Sequence, residues 1–193
     1  MTSEVRGIRS REHLVQAIEA GQRFKYLFFW GHQPAPGGRI TQAGLSQWFA
    51  APFEAGGRLY PTAEHYMMAK KAELFGEHEL AAQILAAASP GQAKALGRTV
   101  SGFDERVWQQ QRREIVVRGN LHKFSQHPAL RSYLLDSGSR VLVEASPLDT
   151  IWGIGLETAS PAASNPDEWR GLNLLGFALM EVREALAGGA SGL

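Results

Sequence analysis

The chain has 193 residues, of which 44% are hydrophobic and 20% charged, and its formal net charge is +1. This length suffices for one sizeable core and is short for two ordinary domains, so we expect one domain. The balanced charge argues against bulk binding of a nucleic-acid backbone, and the lack of cysteine excludes disulfides, thiolate metal sites and cysteine nucleophiles.

Residues 1–22 are predicted to form an N-terminal extension that is charged throughout and holds a short helix from Arg11 to Ala20. They contain no apolar core, and no later run reaches the roughly 18 apolar residues of a spanning helix. We therefore expect a cytoplasmic protein without a membrane partner. The aromatic segment from Phe24 to Trp30 predicts a buried strand, and residues 41–53 are expected to be irregular.

The segment that follows Tyr60 carries a candidate catalytic pair. Pro61 and Thr62 are typical helix-start residues, and neither Gly nor Pro interrupts the run to Phe75. On that helix Glu64 and Lys71 are rotated by only about 20° and stand about 10 Å apart, which leaves room for a sugar. The same spacing also fits an amphipathic helix whose charges lie in water, so both interpretations remain open here.

Further helices are predicted over residues 80–88, 91–96, 104–124 and 128–135, with Ser89-Pro90 and Asp104 as helix starts. Residues 140–145 predict a second strand, and a last helix is expected from Leu172 to Ala187 with Asn173 in its first turn. Residues 188–193 are expected to be a disordered tail. The predicted fold class is therefore α+β, as a compact, mainly helical single domain with a small β-sheet.

Several polar or aromatic residues outside the first long helix have two open interpretations. Lys94 and Arg98 lie one turn apart and form either a phosphate contact or a solvated helix face. Asp149 follows the second strand and is either functional or a turn residue, and Trp152 either stacks on a base or packs in a core. The histidine spacing fits no metal motif, so we expect no metal site. We also expect no cofactor.

From about residue 28 to 186 the sequence resembles the NADAR family, which includes YbiA-like N-glycosidases and ADP-ribosyl-guanine hydrolases. The matching segments, in chain order, are Phe28-Phe29-Trp30-Gly31, Leu45-Ser46-Gln47-Trp48, Tyr60-Pro61-Thr62-Ala63-Glu64-His65-Tyr66, Lys71, Ser89-Pro90, Gly97-Arg98, Lys123-Phe124, Val143-Glu144-Ala145-Ser146-Pro147-Leu148-Asp149, Ile151-Trp152-Gly153-Ile154-Gly155, Asn173-Leu174-Leu175-Gly176 and Leu179-Met180-Glu181-Val182-Arg183. The resemblance implies a NADAR-like catalytic domain over residues 23–187. The order of these matching segments along nearly the whole chain makes the resemblance specific.

The resemblance implies cleavage of an N-glycosidic bond between a ribose and a base or base-like amine. Lys71 is then expected to form a Schiff base with the opened sugar and Glu64 to shuttle protons. Asp149 is expected either to hold ribose hydroxyls or to stabilise the developing positive charge. A lysine attacks only when it is neutral, which requires either desolvation or a neighbouring cation to lower the pKa of Lys71, and Lys70 is the adjacent cation.

For the substrate, the resemblance implies either a phosphoribosylamino-pyrimidine of riboflavin synthesis or ADP-ribose attached to guanine, with modified DNA still open. Trp48, Arg98, Trp152 and Asn173 are the expected substrate-binding residues, although Asn173 equally fits a helix cap. His65 is expected to be packed rather than catalytic. Many family members have Ser-Asn-Phe where this chain has Ser46-Gln47-Trp48, and this departure bears on the identity of the substrate rather than on the type of reaction. The alternative function is a module that binds ADP-ribose or a nucleotide without turnover, and the oligomeric state stays open.

Overall fold

The structure, a computed structural model, describes residues 5–189, which contain seven α-helices and four β-strands. In chain order these are α1 (Arg11–Glu19), β1 (Tyr26–Phe29), β2 (Phe53–Ala55), β3 (Arg58–Tyr60), α2 (Ala63–Leu74), α3 (His78–Leu85), α4 (Pro90–Gly97), α5 (Glu105–Gln126), α6 (Pro128–Asp136), β4 (Val141–Glu144) and α7 (Leu174–Ala187). The predicted α+β class, mainly helical with little sheet, is confirmed. The strands form two separate pairs rather than one sheet.

The chain divides into two compact units. The first unit contains residues 5–46 and 129–189, and the second contains residues 47–128. Among residues 5–189 no helix is both long enough and apolar enough to cross a membrane. Residues 190–193, most of the predicted tail, lie outside the described residues.

The first unit is built on the parallel pair of β1 and β4, in which Tyr26 pairs with Val141. Residues 141–143 are completely buried, as expected for a strand that is covered on both faces. α7 packs so closely on β4 that a side chain at Gly176 would collide with the carbonyl oxygen of Leu142. Because the two strands are parallel, Trp30 and the loop that begins at residue 145 leave the sheet at the same edge.

The segment before β1 packs as part of the first unit. Arg9 binds both carboxylate oxygens of Glu184 on α7, at 3.2 and 2.5 Å, and Arg11 donates to the carbonyl oxygen of Asp167 at 2.7 Å. Leu14 on α1 is fully buried. The predicted helix from Arg11 to Ala20 is confirmed to within one residue. The side chains of Arg9, Arg11 and Leu14 hold this segment to the rest of the first unit.

The second unit contains a β-hairpin of β2 and β3 that was not predicted from the sequence. Phe53 pairs with Tyr60 and Ala55 with Arg58. The two residues between the strands, Gly56 and Gly57, have φ angles of 57° and 74°, which a two-residue hairpin turn of this hand requires. The hairpin therefore delivers the chain directly to the start of α2.

α2 is buried on almost every side, which contradicts the interpretation of an amphipathic helix with its charges in water. Glu64 is 3% exposed and His65 1% exposed, and residues 62–69 are all buried. α3, α4 and α5 all pack against this helix. On the α5 side the contact depends on Gly119, because an added Cβ there would lie 2.6 Å from the ring of Tyr66.

The first turn of α2 is held by a hydrogen-bond chain through His65. Thr62 Oγ1 accepts the backbone N–H of His65 at 3.3 Å and lies 2.8 Å from its Nδ1. Nε2 of His65 lies 3.1 Å from the carbonyl oxygen of Ala87, which can only accept, so Nε2 carries the proton and Nδ1 accepts the Thr62 hydroxyl. Burial lowers the pKa of His65, so the ring is neutral and has a structural role.

We predict that Thr62→Ala lowers the free energy of unfolding by about 1–2 kcal/mol, because it removes the helix cap and the partner of a buried ring nitrogen. Urea denaturation measures this change. Thr62→Ser keeps the hydroxyl and is expected to lower the free energy of unfolding much less. Equal losses in the two variants would contradict the role of the hydroxyl.

Candidate active site

Glu64 lies in the first turn of α2, where the hairpin and residue 47 meet the helix. Its backbone N–H donates to the carbonyl oxygen of Gln47 at 3.0 Å, and its carboxylate is buried. α2 is continuous from Ala63 to Leu74, so the predicted relation to Lys71 holds: both side chains lie on one face, about two turns apart. The second unit therefore presents a buried carboxylate and a lysine on the same side of one helix.

A cluster of buried polar side chains lies beside the start of α2, and the sequence analysis did not assign it a role. Asn120 on α5 is fully buried and donates to Oε1 of Gln47 at 2.7 Å and to the carbonyl oxygen of Val116 at 2.8 Å. Gln47, the residue that departs from the common family pattern, is thus bonded to α5 through its side chain and to Glu64 through its backbone. It fixes the position of the first turn of α2.

Lys123, one turn beyond Asn120 on α5, is fully buried. Its Nζ lies 5.8 Å from the ring centre of Phe49 and 5.1 Å from that of Phe124. Burial lowers the pKa of Lys123 from 10.5 to about 7. From the sequence, Lys123 was noted only as part of a segment that matches the family. The pattern of charged and apolar residues along α5 does not reveal which of its charged residues are buried.

Lys71 is half-buried in a small aromatic and carbonyl environment. Its Nζ donates to the carbonyl oxygen of Gly97 at 2.8 Å and lies 4.2 Å from the ring centre of Phe103 and 5.8 Å from that of Trp108. Trp108, which lies in the helix predicted over residues 104–124, is buried. Lys71 is thus oriented by the end of α4 and covered by residues around the start of α5.

The pKa of Lys71 is lowered, chiefly by burial. Glu105 opposes the shift by favouring the charged amine, and Arg98 adds to it by repulsion. Lys70 is not the cation responsible, contrary to the sequence-based expectation. It forms an ion pair with Glu73 at 2.7 Å and lies over the ring of Tyr66, on another face of the helix.

Two of the predicted binding residues flank α4 at opposite ends. The ring of Trp48 packs near Gly91 in the first turn, where Lys94 Nζ lies 5.9 Å from the ring centre. Arg98 is the exposed residue that ends the helix. The cation at position 98 thus stays accessible to an anion while it acts electrostatically on Lys71.

In the first unit, Asp149 organises the loop that follows β4. Its Oδ1 accepts the backbone N–H groups of Ile151 at 2.9 Å and Trp152 at 2.7 Å, and its carbonyl oxygen accepts that of Gly155 at 3.1 Å. This is the turn-forming role that the sequence left open. Trp152 is half-buried in this loop, and the carboxylate fixes the backbone that carries it.

Asn173 has a role that neither sequence-based interpretation anticipated. It lies immediately before α7 in the left-handed conformation, at φ 54°, and its side chain forms no cap. Instead its Oδ1 accepts the N–H of Glu144 and its Nδ2 donates to the carbonyl oxygen of Leu142, both at 2.9 Å. The fully buried amide therefore extends the hydrogen bonding of β4. Its predicted contact with substrate stays a prediction.

Within residues 5–189, no three His, Asp or Glu side chains are grouped closely enough to hold a metal ion. The groups that the second unit offers for catalysis are therefore a carboxylic acid, two lysines of lowered pKa and an exposed arginine. Such a set can donate and accept protons and can supply a neutral amine as a nucleophile.

We predict that Lys123 makes the free energy of unfolding depend on pH above neutrality. Between about pH 7 and its unfolded pKa of 10.5, the unfolded chain holds a proton that the folded chain has released. Stability therefore rises with pH over this interval, by up to about 1.4 kcal/mol per pH unit from this group. Below about pH 7 both states hold the proton and this contribution to the slope vanishes.

Urea denaturation at intervals from about pH 7 to about pH 9 measures the effect, with Lys123→Met expected to have the flatter profile. Lys25→Met replaces an exposed lysine and is expected to follow the wild type. Parallel profiles for wild type and Lys123→Met would contradict the lowered pKa.

The chain matches known proteins over most of its length. A family model described as the NADAR domain matches residues 28–187. N-glycosidase R617 of Acanthamoeba polyphaga mimivirus is 43% identical over 169 residues, which cover 83% of this chain and 95% of the viral protein. N-glycosidase YbiA of Escherichia coli (strain K12) is 32% identical over 143 residues, covering 74% and 81%.

A comparison with solved structures agrees with the sequence comparisons. The NMR structure of the E. coli protein YbiA matches with a TM-score of 0.69 at 28% identity and covers 86% of both chains. The segments on which the sequence resemblance rested, including those that carry Glu64 and Lys71, lie within the matched range. The chain belongs to the NADAR domain family.

Proposed function

We propose that this protein is an N-glycosidase that hydrolyses the C1′–N bond between a ribose and a base or base-like amine. The observation that carries the proposal is the half-buried Lys71, whose pKa is lowered, on the same face of α2 as the buried Glu64. The relatives named N-glycosidases support the same class of reaction. The activity requires no group beyond side chains and water.

The reaction begins when Glu64, as an acid, gives a proton to the ring oxygen and the ribose opens to an iminium between C1′ and the base nitrogen. The neutral amine of Lys71 adds to C1′. A lysine proton then passes through Glu64 to the base nitrogen, and the C1′–N bond to the base breaks. The base leaves as a neutral amine, and C1′ is bound to Lys71 as a protonated Schiff base.

Water completes the cycle. Glu64, now a carboxylate, takes a proton from the water that adds to C1′. The resulting carbinolamine collapses, Lys71 leaves as an amine, and the sugar is released as an aldehyde that closes to its ring. The hydrogen bond from Lys71 to the carbonyl oxygen of Gly97 supports the attack, because a neutral amine can donate one N–H there and keep its lone pair.

The other site residues enter the proposal in binding roles. Arg98 would contact a phosphate of the substrate, and Trp48 would stack on its base. The roles that the family resemblance implies for Asp149 and Trp152 stay predictions, and Asn173 supports the strand that precedes these two residues. The substrate is either a phosphoribosylamino-pyrimidine or ADP-ribosylated guanine, free or in DNA.

We predict that borohydride traps a covalent adduct between the sugar and Lys71 during turnover of either substrate. Lys71→Ala is expected to lose both base release and adduct, and Glu64→Gln to slow base release by about a hundredfold or more. Lys25→Ala, which removes an exposed lysine, serves as the control with full activity. Mass spectrometry of base, intact protein and peptides measures all of these outcomes.

Undiminished base release in a folded Lys71→Ala variant would overturn the proposed nucleophile. Binding of both substrates without release of base from either would overturn the enzymatic proposal and favour a nucleotide-binding module.

We predict that two neighbouring charges shift the pH dependence of adduct formation in opposite directions. The rate should rise with pH as Lys71 loses its proton. Arg98→Gln removes a repulsive cation, raises the pKa of Lys71 and moves this rise to higher pH, whereas Glu105→Gln moves it to lower pH. The initial rate of borohydride trapping across a pH series measures both, and shifts in the same direction would contradict the assignment.

A further inference from the structure

A second concave site lies in the second unit, on a face of α2 away from Lys71. We call it the hairpin pocket: a cavity of about 740 Å³ beside the β2–β3 hairpin, α2 and α5. Its principal lining residues are Arg58, Tyr60, Tyr66, Lys70, Arg118 and His122. On α2 the lining positions lie about half a turn around the helix from Glu64, so the pocket is separate from the proposed catalytic pair.

The hairpin pocket is lined by more positive than negative charge. Arg58, Lys70 and Arg118 line it, and Glu73 is the one acid among the described residues that do so. Glu73 is shared, with one oxygen 2.6 Å from Arg58 and the other 2.7 Å from Lys70. Arg118 is paired with Glu114, which does not line the pocket, at 2.6 Å. Three cations therefore face two carboxylates, which leaves positive charge for an anion, and a phosphate group can bind several such donors at once.

Aromatic rings form the remainder of the wall. Tyr60 and Tyr66 meet edge to face with their centres 4.9 Å apart, and the ring of His122 lies 6.4 Å from that of Tyr66. Burial lowers the pKa of His122, so this ring adds flat, neutral surface rather than charge. The combination of ring faces and cations suits a ligand with a flat base and a phosphate.

The hydroxyl of Tyr60 gives an independent indication of a ligand. Tyr60 is fully buried, and its hydroxyl has no hydrogen-bond partner in the part of the chain that the structure describes. A buried donor without a partner lowers stability, because it has lost its bonds to water. Since Tyr60 lines the pocket, a polar atom of a bound ligand could accept this bond.

We propose that the hairpin pocket is a second binding site, for a nucleoside monophosphate or a chemically similar phosphorylated aromatic molecule. The phosphate binds between the arginines and Lys70, the base lies against Tyr66 and His122, and the Tyr60 hydroxyl donates to the ligand. The volume fits one such molecule. The formal net charge of +1 favours a free nucleotide over a nucleic-acid strand as the occupant.

The test uses AMP and the full-length Lys71→Ala variant, so that turnover cannot contribute. Amide chemical shifts should move at Gly56 and His122 on titration, and calorimetry should give the affinity. We expect Arg118→Gln to bind AMP about tenfold more weakly and Tyr60→Phe severalfold more weakly. Arg106→Gln, an exposed arginine elsewhere on the same helix, is the matched control and should bind as the parent does.

Ligand fragments separate the two halves of the site. Adenosine should bind about tenfold more weakly than AMP, and inorganic phosphate should displace AMP. The proposal is overturned if millimolar AMP shifts the amide signal of neither residue, if Tyr60→Phe binds AMP as tightly as its parent, or if adenosine binds as tightly as AMP. Tighter binding of a single-stranded oligonucleotide than of AMP would also overturn it, in favour of a nucleic-acid strand.

Discussion

The burial of α2 is the constraint from which the candidate chemistry follows. A helix that is surrounded on almost every side can hold a glutamate and a histidine only if the polar groups around them are bonded. The Thr62–His65 contact and the bond from Glu64 to the Gln47 carbonyl meet part of this need at the first turn. With its start fixed in this way, α2 holds Glu64 and Lys71 at a constant spacing.

Three lysines in the second unit show how the surroundings of one side-chain type set its chemistry. Burial opposes protonation of Lys70, but the hydrogen bond to Glu73, together with the electrostatic effects of Glu73, Tyr60 and Tyr66, outweighs burial and raises the pKa. Lys71 has aromatic neighbours and a nearby arginine, and its pKa falls. Lys123 is fully buried, and its pKa falls to about 7. Only an amine of lowered pKa offers a lone pair near neutral pH, so Lys70 is the least suited to attack a sugar.

The features that could be predicted from sequence are those encoded by nearby residues. Helix starts follow from Thr62, Ser89 and Asp104, whose side chains do cap α2, α4 and α5. The shared face of Glu64 and Lys71 follows from helical periodicity. Each of these depends on at most a few turns of chain, so the sequence alone contains the necessary information.

Features that depend on distant residues could not be predicted in this way. The burial of Lys123 and the Gln47–Asn120 bond arise where α5 packs near residues more than 70 positions earlier in the chain. Asn173 could not be assigned because its left-handed backbone, rather than its side-chain type, turns the amide towards β4. Lys70 was the obvious neighbour of Lys71 in sequence, but consecutive residues on a helix point about 100° apart.

The end of α4 acts on Lys71 in two opposite ways. Its carbonyl groups favour a cation nearby, so the bond from Lys71 to the carbonyl oxygen of Gly97 would by itself stabilise the protonated amine. Arg98, the next residue, supplies a positive charge that opposes protonation. Two adjacent residues thus combine a fixed acceptor, which orients the amine, with a cation that lowers its pKa. A nucleophilic lysine needs both, because an amine that is neutral but not oriented, or oriented but protonated, does not attack.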